Sequence, residues 1–217
     1  VQRACGTIVW RQRRDRMTVP QQTRRTVVIA AAAAAAALAA CQPAEPPAPF
    51  KGIDITGATY ARDFSLPDAE GAMRSLGEFK GKVVLVFFGF AQCPDVCPTT
   101  LGRAIEVRKL LGADGNKVQV VLITVDPERD KPEVLREYMK AYDPSFIALR
   151  GNAGQLADTA KEFKVFFQKV PTSKDSYTMD HTAITYAFDP KGRVRLALRH
   201  EQSAADVAAD LKMLLSN

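Results

Sequence analysis

Histidine is nearly missing from this chain: His181 and His200 are the only two among 217 residues. A centre built from three imidazoles is therefore excluded, and any imidazole ligand must be one of this pair. Cysteine is scarce too, at positions 5, 41, 93 and 97, too few for a disulfide-stapled scaffold. No internal repeat is present, which excludes solenoids and propellers. Surplus charge is absent from most of the chain. The formal net charge of +6 belongs entirely to residues 1–40, where seven arginines face the single Asp15, and 23 basic and 23 acidic residues remain from Cys41 onward. Phosphate-driven binding of nucleic acid has no compositional support in that neutral remainder.

A membrane-length apolar run is lacking as well. The stretch from Thr26-Val27-Val28-Ile29 through the alanines to Leu38-Ala39-Ala40 covers about 15 residues, against the ~20 needed to span a bilayer. Preceded by Arg24-Arg25, it has the positive start, short apolar core and small-residue end of an export signal rather than of an uncleaved helical anchor. Its ending, Leu-Ala-Ala-Cys, resembles a bacterial lipoprotein signal, which implies lipid on Cys41 and an exported domain anchored to the membrane on the periplasmic side of a bacterial cell envelope. Met17 lies where a conventional signal would begin. Residues 1–40 read as leader and signal, removing Cys5. Residues 41–50, with the proline-rich run Gln42–Phe50, read as lipidated cysteine and extended tether. Residues 51–217 read as one domain, expected to be a monomer.

Within that domain, Val83 to Phe88 and Val118 to Val125 are continuous apolar runs, expected as strands buried on both faces. A helical pattern follows Pro98 with Leu101, Ile105, Val107 and Leu111, broken by Gly112 to Gly115. Residues 131–141 and 152–163 read as helices around a short strand at Phe146 to Leu149. Asp189-Pro190-Lys191-Gly192 reads as the turn of a hairpin joining Ala183–Phe188 to Val194–Leu198, and Ser203 as the N-cap of a last helix. Residues 68–71 read as a turn. The fold class is α/β, and the element order resembles the thioredoxin fold, with an N-terminal β-hairpin and inserted helix-strand elements.

Cys93 and Cys97 are the thiols left in an oxidising compartment, and they follow the first central strand at the loop that opens a helix. Backbone N–H groups and the helix dipole there favour thiolate, which binds soft metals and attacks disulfides. The pair is a copper site, a redox site or both, with a structural disulfide as the plain alternative. His181 precedes the strand at Ala183 and is expected in a loop beside the cysteines, whereas His200 reads as solvated surface. Asp95, Asp126 and Asp180 are supporting candidates. Asp95 would tune charge or make a turn, Asp126 would brace the cysteine loop, and Asp180 would orient His181, meet a docking partner or cap its own backbone. Met179 is a soft ligand type whose default is core packing. No proline stands before Ala183 and no Thr-x-x-Cys precedes Cys93. These two gaps weaken a general disulfide-reductase and a peroxidase reading, respectively.

Three motifs in order carry a wider resemblance: Phe-Phe-Gly-Phe-Ala-Gln-Cys-Pro-Asp-Val-Cys-Pro-Thr-Thr-Leu, Val-Leu-Ile-Thr-Val-Asp-Pro-Glu-Arg-Asp, and Met-Asp-His-Thr-Ala-Ile-Thr-Tyr-Ala-Phe-Asp-Pro-Lys-Gly. Together they are similar to the Sco/SenC family, from about residue 56 to 216. The resemblance implies a membrane-tethered thioredoxin-like protein that binds copper, as Cu(I) and Cu(II), through Cys93, Cys97 and His181. It further implies help in assembling the dinuclear copper centre of cytochrome c oxidase subunit II, with a periplasmic copper donor and a thiol reductant as further partners. A thiol-disulfide oxidoreductase using Cys93 and Cys97, and Zn²⁺ held by the same three residues, remain as alternatives.

Overall fold

The central strand Val83–Gly89 buries all seven of its residues, and its alternate side chains feed two separate cores. The computed structural model describes residues 49–216. In chain order these contain β1 (Ile53–Asp54), β2 (Ser65–Pro67), β3 (Met73–Ser75), β4 (Val83–Gly89), α1 (Val96–Leu110), β5 (Val118–Thr124) and α2 (Pro132–Tyr142). They continue with β6 (Ile147–Leu149), α3 (Ala153–Glu162), β7 (Phe167–Ser173), β8 (Ser176–His181), β9 (Ile184–Phe188), β10 (Val194–Arg199) and α4 (Ala204–Leu215). The proposed leader, Met17, Cys41 and most of the tether lie outside the described residues.

A six-stranded sheet runs in the order β1-β10-β9-β4-β5-β6. β4, β5 and β6 are parallel, and β9 returns antiparallel beside β4, pairing Val84 with Phe188 and Phe87 with Thr185. Val83, Leu85 and Phe87 of β4, with Val118, Val120 and Leu122 of β5, pack beneath α1, α2 and α4. Val84, Val86 and Phe88, with Val121 and Ile123, face Leu156 and Ala160 of α3 and the N-terminal segment around Phe64, Leu66 and Leu76. This is a thioredoxin-like α/β fold, and the C-terminal ends of its parallel strands are where such folds build sites.

The expected elements form with small boundary shifts. α1 starts two residues before Pro98, which sits in the first turn where a helix needs no N–H donor. The N-terminal hairpin is β2–β3, and the carboxylate of Asp68 accepts the N–H groups of Glu70 and Ala72 at 2.9 Å each to shape its turn. Asn152 and Gln155 cap α3 reciprocally, and the Ser203 hydroxyl accepts the Asp206 N–H at 3.1 Å to start α4. The unexpected element is a second hairpin, β7–β8, which forms its own two-stranded sheet with Phe167 opposite His181. No helix among the described residues is long and apolar enough to cross a membrane.

Candidate metal centre

β4 ends at Gly89, the chain loops through residues 90–95, and α1 begins at Val96, so Cys97 falls in the first helical turn and Cys93 in the loop before it. The Cys93 N–H donates to the Phe90 carbonyl at 3.2 Å, which curls the loop back on the strand end. Cys97 is fully buried and Cys93 half-buried, and the two are unjoined thiols in this structure. Gly89 makes room for them. A Cβ at that position would lie 2.5 Å from the Cys97 sulfur and 3.2 Å from Leu122.

The two sulfurs are electrostatically unlike. The Cys97 thiol donates to Cys93, and His181 and the N–H groups of Asp95 and Cys97 add to it. Together they outweigh burial and lower the Cys93 pKa to about 3. The same sulfur–sulfur hydrogen bond and deep burial push Cys97 up. The site thus favours thiolate at the half-exposed sulfur and thiol at the buried one.

His181 ends β8, so it stands on a strand rather than in the expected loop, and the hairpin delivers it to the cysteines. Its ring meets Phe90 edge to face, with centroids 5.9 Å apart and planes at 87°, and Nδ1 lies 3.2 Å from the Thr182 carbonyl. With Nδ1 at that carbonyl, Nε2 is the ring nitrogen left for the cysteines. One ligand atom each from Cys93, Cys97 and His181 lies within 4.8 Å of the others. Metal–ligand bonds of roughly 2.0–2.3 Å bridge ligand atoms up to about 4.6 Å apart. The trio needs only a small closure to hold an ion, and two sulfurs with one imidazole suit a soft or borderline one.

The supporting aspartates are arranged differently from expectation. Asp95 is exposed and its carboxylate accepts the Thr99 hydroxyl at 3.3 Å, so its backbone, not its charge, reaches Cys93. Asp126 is buried but does not brace the cysteine loop. It is held by the Arg129 guanidinium and by the Tyr177 hydroxyl at 3.0 Å. The brace is Asp130, whose oxygens accept the Ala91 N–H at 3.1 and 3.3 Å and the Thr124 hydroxyl at 2.5 Å. Burial raises its pKa against those hydrogen bonds. Asp180 is exposed, and the His181 Nδ1 meets the Thr182 carbonyl instead of its carboxylate. Met179 is buried among Phe-rich neighbours of the second core. His200 is half-buried with a shielded Nδ1 rather than fully solvated, and it takes no part in the cluster. Gly89, Phe90, Arg129 and Asp130 were not singled out from sequence. Their signals were position, at or shortly after the end of a buried parallel strand, and membership of the motifs that carry the resemblance.

The SCO1/SenC family model matches residues 54–216. The chain belongs to the SCO1/SenC family. Its relatives include the SCO2-like protein RP587 of Rickettsia prowazekii, 41% identical over 60% of this chain and 64% of that one. Hence the chain matches a little under two thirds of that relative's length. Among solved structures, the copper-bound ScoI of Bradyrhizobium japonicum is 39% identical, covering 70% of this chain and 97% of that one at a TM-score of 0.64. BsSco, described with a disulfide switch and as a member of the Sco family of cytochrome c oxidase assembly proteins, is 25% identical over 76% of this chain and 99% of its own, at a TM-score of 0.58.

Proposed function

We propose that this SCO1/SenC protein is a metallochaperone whose cargo is copper, held by Cys93, Cys97 and His181 and delivered during assembly of the dinuclear copper centre of cytochrome c oxidase subunit II. The observation that carries the proposal is the convergence of two sulfurs and one imidazole nitrogen within 4.8 Å. The copper-bound relative and the relative assigned to oxidase assembly point the same way. Two thiolates satisfy Cu(I) at low coordination, and the imidazole adds the nitrogen that Cu(II) favours. Because Cys93 is only half-buried, an incoming cysteine or histidine can bind the ion before the donor releases it. Free copper is then never required.

Anchoring through a lipidated Cys41 on the periplasmic side would hold a monomeric domain near the oxidase, with a copper donor upstream and a thiol reductant to keep the pair reduced. Nucleic acid has no place in this proposal. The inequality of the two thiols supports a second activity on the same residues. The Cys93 thiolate attacks a partner disulfide and expels one partner thiolate. Cys97, deprotonated, then attacks the mixed disulfide, expelling the second and leaving a Cys93–Cys97 disulfide. Two electrons pass to the partner, and an external dithiol restores the pair.

Copper titration of the reduced protein, wild type against His181→Ala, tests the leading proposal. The expected result is one copper per chain, with a thiolate-to-Cu(II) charge-transfer band that the variant loses while remaining folded. Equal binding of both copper oxidation states by the variant would sink it. Rapid dithiol exchange with weak, His181-independent binding would favour the oxidoreductase, and preferential retention of Zn²⁺ would favour a zinc site.

A further inference from the structure

The hairpin that carries His181 is not part of the central sheet: β7 and β8 pair only with each other. A two-stranded sheet is marginal by itself, so something must fix it where its last residue can meet the cysteines. We propose that Arg129 is that positioning residue, and that the short turn containing it sets the spacing between the imidazole and the two sulfurs.

The turn follows β5 directly and closes on itself through the Asp130 N–H to the Asp126 carbonyl at 2.9 Å. Its two last side chains go to the two halves of the site. Asp130 grips the cysteine loop at the Ala91 N–H. Arg129 grips the hairpin: it donates to the Tyr177 carbonyl at 2.8 Å, and its guanidinium lies 3.9 Å from the centroid of the Tyr177 ring. Tyr177 stands four residues before His181 on the same strand, and its hydroxyl donates to Asp126, the carboxylate that also holds Arg129. Arg129 further lies over the Phe90 ring at 5.9 Å, and Phe90 packs its face or edge directly on His181. One guanidinium thus touches the strand bearing the imidazole, the ring packed on that imidazole and the turn bracing the thiols. Its Nη2 makes no hydrogen bond, and the planar group also lies against the Tyr177 and Phe90 rings. A lysine ammonium has no plane to stack and cannot replace it.

The inference rests on the copper reading for its metal assay, and a metal-free measurement separates the two. Arg129→Met leaves the Asp126 carboxylate buried beside a lost cation, a change that endangers folding. The double variant Asp126→Asn with Arg129→Met removes both charges and is the companion. In the reduced, metal-free full chain, nuclear Overhauser contacts between the His181 imidazole and the Phe90 ring are expected in wild type and lost in the folded variants. With copper, the variants' Cu(II) affinity should fall about tenfold or more while Cu(I) affinity changes by less than about threefold, because the thiolates stay braced by Asp130. Arg129→Lys should behave like Arg129→Met. Retained Overhauser contacts in a folded variant overturn the proposal, as does rescue by lysine. If wild type itself shows no His181-dependent copper band, the copper reading fails while the Overhauser comparison still decides the role of Arg129.

Discussion

A methyl group on Gly89 would collide with the Cys97 sulfur at 2.5 Å, and that one contact explains why glycine ends this fully buried strand. Neither partner has room to retreat, since Cys97 and Leu122 are both fully buried. Gly89→Ala should therefore lower stability by about 1–3 kcal/mol, the usual cost of overpacking, and displace one of the two sulfurs. Denaturant melts and Cu(I) affinity measured together check it. Wild-type values for both would show that the loop moves freely enough to absorb the methyl. Similar economy governs Cys93, whose thiolate is made by donors rather than by exposure: a neighbouring thiol, an imidazole and two N–H groups.

Elements hold their places here through single buried polar groups at their ends. Asp210 on α4 is fully buried and accepts the N–H groups of Lys51 and Gly52 at 2.8 Å each and the Gln202 amide at 3.1 Å. It pins the entry of the chain, and with it the edge strand β1, to the last helix. Asp210→Ala removes the acceptor of two partly buried N–H groups, so a total loss of about 1–3 kcal/mol is expected. Chemical denaturation of the variant measures it, and an unchanged midpoint would show the entry segment to be held by other contacts. Asp189 plays the same part at the β9–β10 turn, accepting the Lys191 and Arg193 N–H groups at 3.0 Å with the Arg193 guanidinium beside it.

At the scale of the whole molecule, the unequal thiols couple the site to stability. Cys93 titrates lower in the folded than in the unfolded chain, so its contribution is absent below about pH 3 and grows as pH rises toward the ordinary thiol value. Cys97 is raised, so its contribution is lost as pH rises above that ordinary value. The reduced, metal-free protein should gain stability from mildly acidic to neutral pH by more than Cys93→Ser does. Parallel urea melts across that range test it, and identical slopes would mean that Cys93 is a thiol in the folded state.

Much of this was legible without coordinates. Val83 to Phe88 could only be a strand buried on both faces, because six apolar residues bounded by glycines leave no polar side for water. Cys93 and Cys97, placed after it, had to lie at a helix entrance, and with only two histidines the imidazole had few sources. β7 was not legible: Phe167–Ser173 is mostly exposed and carries lysine, proline and serine, so it lacks the alternation that marks a half-buried strand. Its order comes from pairing with β8 and from the Lys169 ammonium, which reaches the Glu128 carboxylate in the turn after β5 at 2.5 Å. Nor could sequence choose between Asp126 and Asp130, both in one short turn, since which carboxylate faces the cysteine loop depends on how that turn closes. The sequence by itself determined the fold class, the thiol pair and the family, because hydrophobic burial and residue chemistry are local properties of the chain. Only the tertiary structure decided which groups brace the site and that a separate hairpin carries His181 to the sulfurs, because those contacts join segments far apart in the chain whose meeting depends on packing.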